Sequence, residues 1–141
     1  MSGYRELQEA YEENHQATVV RRSLTRDALN GIRMALLARL GIKDQTSEIV
    51  MWSTRSGGDL WPDLALLELK DVLNARGSIA LEGIFEAPPV SISFDVSFEY
   101  SNDKVVVNVD DLKPKMITSE TDLADVADTI YELVLLRLTT Y

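Results

Sequence analysis

Val90-Ser-Ile-Ser-Phe-Asp-Val-Ser-Phe-Glu-Tyr100, followed after Ser101-Asn-Asp-Lys104 by Val105-Val-Val-Asn-Val109, is the stretch that decides the fold. Val90, Ile92, Phe94, Val96, Phe98 and Tyr100 alternate with serines and carboxylates, which is the period-2 pattern of a strand with one buried face. A two-residue turn at Asn102-Asp103 sets Tyr100 opposite Val105, Phe98 opposite Val107 and Val96 opposite Val109. A slip of one residue would set valines against serines and carboxylates, so the register of this antiparallel hairpin is determined.

Working outward, Ser119 with Asp122 three residues on resembles a capping box that opens a C-terminal helix. Leu123, Val126, Ile130, Leu133 and Val134 form its apolar stripe, and Asp122, Asp125, Asp128 and Glu132 lie on roughly the opposite side. From Leu133 to Leu138 the helix is apolar nearly all round, which predicts a homodimer through this end. Upstream, Ile79 to Glu86 reads as a strand closed by Pro88-Pro89, and Glu48 to Ser53 as another. Between them residues 54 to 61 read as a loop, and Pro62-Asp63, Leu64, Leu67 and a terminal Asn74-Ala-Arg-Gly77 as a short helix. Residues 3 to 40 repeat Tyr4, Leu7, Tyr11, Leu24, Leu29, Ile32, Leu36 and Leu40 at helical spacing. The Thr18-Val19-Val20 cluster and a capping reading of Thr25-Arg26-Asp27 favour a break near 23 to 25, and Gly41 ends the helix. The expectation is one α+β domain, residues 1–141. It has an antiparallel four-stranded sheet packed on one face by long N-terminal and C-terminal helices, plus a short middle helix.

The 141 residues carry 14 Lys and Arg against 23 Asp and Glu, a net charge of -9, with one histidine and no cysteine. The acidity speaks against nucleic acid and against anionic membrane as partners of the whole surface. Without cysteine there is no disulfide framework, thiolate metal site or cysteine nucleophile, and a lone His15 offers no second ligand or triad. A start without a basic, apolar leader, and no window of 18 apolar residues, place the chain in a cytoplasm.

The charge is segregated. Residues 15 to 43 hold six bases against Asp27 alone, whereas Asp95 to Glu132 hold ten acids against three lysines. The basic segment is either paired with the protein's own carboxylates, such as Glu12 or Glu13 across a helix hairpin, or an anion site. The acidic segment is either a solvated face or a surface that steers a basic partner.

Trp52-Ser-Thr-Arg-Ser-Gly-Gly-Asp-Leu-Trp61 brackets hydroxyls, a guanidinium and two glycines with both tryptophans of the chain. Trp52, Arg55 and Trp61, with Arg22 and Arg26, could hold a nucleotide-like molecule by stacking and phosphate contacts, although no phosphate-loop motif is present. The plainer reading has the tryptophans plug the core at each end of a Gly-Gly turn. Asp110-Asp111 point to opposite faces of a strand and lack calcium-loop spacing, so no metal, cofactor or catalytic residue is assigned. Met34-Ala-Leu-Leu-Ala-Arg-Leu-Gly41, with the size, acidity and mix of helices and strands, resembles class I type III secretion chaperones. That resemblance implies a protein that binds an unfolded segment of another.

Three functions therefore follow as expectations. The first is a non-catalytic acidic protein-binding module of inhibitor or immunity type, host- or phage-encoded, that blocks a basic site on a partner through Asp122, Asp125, Asp128 and Glu132. The second is a small-molecule binder or sponge using the Trp52–Trp61 loop, and the third a secretion-chaperone-like protein.

Overall fold

The computed structural model describes residues 3–65, 72–82, 87–101, 104–110 and 114–139, which form α1 (Gly3–Arg39), β1 (Val50–Ser53), α2 (Leu60–Ala65), β2 (Leu73–Leu81), β3 (Val90–Ser101), β4 (Lys104–Val109), β5 (Lys115–Ile117) and α3 (Glu120–Thr139). The strands pair in chain order as an antiparallel sheet with α1 and α3 side by side on one face. The α+β architecture is as expected, but the sheet has five strands, not four. The addition is β5, which sets Ile117 against Val105 and Lys115 against Val107. Three residues after a proline are too few to show alternation.

The hairpin has the expected register: Tyr100 faces Val105, Phe98 faces Val107 and Val96 faces Val109. The Asn102-Asp103 turn itself lies outside the described residues. Phe94, Val96 and Phe98 are buried on the helix side. They explain the main departure upstream, where Asn74–Gly77 belong to β2 and do not end a helix. The inward residues of β2 are matched in size to β3: Leu73 lies opposite Phe98, Ala75 opposite Val96 and Gly77 opposite Phe94. A Cβ on Gly77 would sit 2.3 Å from the Phe94 ring, so the glycine is the floor on which that ring lies. The strand expected over 79–86 is thus β2, which starts earlier and ends at Leu81; residues 83–86 are outside the description. The short helix begins before Pro62, at Leu60, because Asp59 Oδ1 accepts the Trp61 N–H at 3.1 Å as an N-cap. Leu67 is outside the description.

α1 is one continuous helix of 37 residues, about 55 Å long, without the break favoured near 23–25. Thr25 does not cap a second helix. Its hydroxyl donates to the Arg21 carbonyl one turn back (2.8 Å) and meets the Tyr100 hydroxyl, so a fully buried threonine is satisfied without leaving helical geometry. Thr18 does the same to Asn14 at 2.9 Å. The C-terminus closes as expected: Gly41 at φ 77° donates to Ala38 and Ile42 donates to Leu37, the two bonds of a Schellman motif. α1 and α3 run parallel, touching at Gly31, where an added Cβ would come 2.4 Å from Leu123 Cδ1, and again at Arg39 and Asp128. Val126, Ile130 and Val134 of the expected α3 stripe are buried, and Leu123 and Leu133 pack partly against them. No described helix is long and apolar enough to cross a membrane.

Candidate functional site

The four carboxylates singled out on α3 are mostly engaged within the molecule. Asp122 Oδ2 accepts the Thr118 hydroxyl (2.7 Å), the Thr118 amide (2.8 Å) and the Ser119 amide (3.2 Å), the carboxylate half of the expected capping box. The Thr118 hydroxyl and amide, then the charge of Lys115, hold this carboxyl well below the usual carboxylate range, at about 2. Lys115 Nζ lies 3.5 Å from Asp122 and 3.4 Å from Asp125, and these acids raise its own pKa. Asp128 pairs with Arg39 at 3.3 Å, and the same guanidinium lies 4.0 Å over the Tyr131 ring. Glu132 is exposed. The face thus carries four acids against two nearby cations, a weaker field than the helix alone suggests.

The basic segment of α1 is also put to structural use, though not across a helix hairpin. Arg33 donates to the carbonyls of Val50 (3.0 Å), Gln45 (2.8 Å) and Ser47, tying the α1–β1 connection to the helix. Arg21 stacks over Tyr100, with 5.1 Å to the ring centroid. Arg22 is half-buried and Arg26 exposed.

In the tryptophan loop, Trp52 is half-buried and packs against the core. Its indole N–H donates to the Leu29 carbonyl at 3.0 Å, and its ring stands edge-on to Phe94 and Phe98 at 5.9 and 6.5 Å. Trp61 is 45% exposed at the start of α2, and Arg55 is exposed. The donors that could have formed an anion cradle are spent within the loop: Thr54 N–H on Gly58, Gly57 N–H on Thr54, and Gly58 N–H on the Thr54 hydroxyl, each at 2.9 Å. The loop therefore brings one exposed ring and one exposed guanidinium to the surface.

Asp110 proves to be a structural hub. It takes φ 48°, ends β4, accepts the Asp95 N–H on Oδ1 (2.8 Å), and pairs through Oδ2 with Arg137 (2.5 Å). Arg137 also donates to the Ser93 carbonyl on the β3 edge that β4 leaves uncovered. Asp111 lies outside the described residues. No group of three His, Asp or Glu among the described residues is placed to hold a metal ion.

No protein-family model, no curated protein and no solved structure matches the chain. Function is therefore argued from the surface, where two of the regions that expose large apolar side chains among the described residues carry three such residues each. One is the end of α3, with Leu135, Leu136 and Leu138 exposed, the surface a homodimer through this helix would need. The other belongs to the apolar repeat that, in the sequence, served only as a sign of helix. Tyr4, Leu7 and Tyr11 of α1 are exposed in a segment, residues 3–17, in which every residue is exposed. His15 stacks on Tyr11 there, with centroids 6.1 Å apart. Arg5 and Glu9 make the only ion pair of the segment among the described residues.

Proposed function

We propose that this chain is a non-catalytic, acidic protein-binding module of inhibitor or immunity type that occupies a basic site on a partner protein. The observation that supports this reading is how the fold spends its cations. Arg33 serves backbone carbonyls, and Arg39, Arg76, Lys115 and Arg137 serve Asp128, Asp95, the Asp122–Asp125 pair and Asp110. Glu6, Glu12, Glu13, Glu99 and Glu132 are exposed and make no ion pair among the described residues. With five of its 14 Lys and Arg engaged in these contacts and a net charge of -9, the molecule presents a net negative field, which speeds encounter with a basic partner and rejects acidic ones.

The test is kinetic. A protein recovered with the chain from its native host is purified, and association is measured from low to high salt. The expected rate falls steeply as the field is screened over about 10 Å at 0.1 M salt. An association rate indifferent to salt, or recovery of a small molecule in place of a protein, would overturn the reading.

A further inference from the structure

We infer that Arg137 guards an open sheet edge: it keeps the part of β3 that outruns β4 from pairing with the same strand of a second copy. β3 is 12 residues long and lies against β2 from Val90 to Phe98, whereas β4 pairs with it only from Val96 to Ser101. Asp95 spends both of its backbone groups on Asp110, donating its N–H to Oδ1 and accepting the Asp110 N–H at its carbonyl. Backbone groups of alternate strand residues point to the same side, so Ser93 and Ser91 turn theirs toward this edge as well. Arg137 meets the Ser93 carbonyl there. The N–H groups of both serines and the Ser91 carbonyl have no hydrogen-bond partner among the described residues. Val90, on the same stretch, is 48% exposed. A bare edge with apolar side chains is a template for another strand.

The stretch is closed at both ends and in the middle. Pro88 and Pro89, just before Val90, have no N–H to give to a neighbouring strand. Asp110 ends β4 at φ 48° and fills the groups of Asp95. Between them Arg137, half-buried in the last turn of α3, sets its guanidinium at the Ser93 carbonyl, where the N–H of an adjoining strand would have to lie. The ion pair with Asp110 Oδ2, at 2.5 Å, holds it there. Without that guanidinium the edge is self-complementary. Two copies set antiparallel about Ile92 place Ser91 opposite Ser93 of the other copy, and every free N–H and carbonyl of the two serines then finds a partner. A register centred on Ser91 brings in Pro89, which lacks the N–H, and one centred on Ser93 needs the groups of Asp95 that Asp110 holds. The second copy therefore fits the bare edge in one register, with Ile92, partly buried on the helix side, facing its twin.

The test uses the full chain. It has no cysteine, so a thiol introduced by Ile92→Cys reports on that position alone. Across the pair described, the two Cα atoms would lie about 4.5 Å apart, within reach of a disulfide. Ile92→Cys is oxidised mildly by itself, together with Arg137→Met, and together with Arg137→Met and Ser91→Pro. Methionine keeps an apolar stem without the donors. Proline removes an N–H that the new pairing needs and that points away from β2, so the native ladder loses no bond. Urea titration shows that each variant is folded. The expected result is no crosslink with Arg137 in place, a covalent dimer in most of the chain after Arg137→Met, and its loss on adding Ser91→Pro. Without the thiol, Arg137→Met should sediment as a larger species than the unmodified chain, and Ser91→Pro should restore the original size. Crosslinking with Arg137 present, none after Arg137→Met, or association that survives Ser91→Pro overturns the inference. If Arg137→Met shows no cooperative urea transition, Asp110→Asn takes its place, because it releases the guanidinium while asparagine still accepts the Asp95 N–H. Crosslinking of that variant that Ser91→Pro removes then supports the guard, and no crosslinking overturns it.

Discussion

Gly77→Ala tests the packing that the sheet is built on. The Phe94 ring lies on Gly77 of the neighbouring strand, and a methyl group there would meet two ring carbons at 2.3 Å. Ordinary contact requires the ring to retreat by about 1 Å, and Phe94 is buried with Trp52 edge-on to it. Overpacking of this kind costs about 1–3 kcal/mol, against about 0.5–1 kcal/mol gained by replacing a strand glycine with alanine. The expected result is a net loss on the order of 1–2 kcal/mol. The sign should reverse once the ring is removed: in a Phe94→Ala background, Gly77→Ala should be neutral or stabilising. Urea titration followed by fluorescence reads both changes, because Trp52 touches the site, and an unchanged slope confirms that the comparison is of stability alone. Equal destabilisation by Gly77→Ala in both backgrounds would refute the reasoning.

Phe98 is fully buried between Leu73 and Val107, so Phe98→Ala should cost about 3–5 kcal/mol in the same titration; a change within about 0.5 kcal/mol would show that this face is not the core. Asp122 is held at about 2 when folded, below the unfolded value of about 3.9, so its contribution to stability is complete above about pH 4 and is lost as pH falls toward 2. Asp122→Asn should remove that part of the pH–stability profile, and identical acid limbs for the two proteins would contradict it. Asp110→Ala should be more destabilising than Asp110→Asn by about 1–3 kcal/mol, because asparagine tolerates the left-handed backbone and can still accept the Asp95 N–H. Equal melting temperatures would show that these bonds do not hold the turn.

The hairpin of β3 and β4 was legible in the sequence because its information is local: alternation over eleven residues, a short turn, and a penalty for every shifted register. The same is true of the Gly41 cap, where both bonds close within five residues, and of Asp122 at the start of α3. The first half of β2 was not legible, because Ala75 and Gly77 are small for the sake of β3, and nothing beside them in the chain reports the ring of Phe94. β5 is three residues long and becomes a strand only by pairing with β4. Thr25 has the composition of a cap, but Tyr100, 75 residues away, keeps it in the helix interior. The acids of α3 and the bases of α1 were both visible as charge runs. That Arg39 meets Asp128, and that Lys115 meets Asp122 and Asp125, depends on how the helices pack. Tyr4, Leu7 and Tyr11 show the division most sharply. Their spacing determines that they share a helix face with Leu29 and Leu36, since that follows from 3.6 residues per turn. Whether that face is core or surface depends on how far the sheet reaches beneath the helix, and distant segments set that reach.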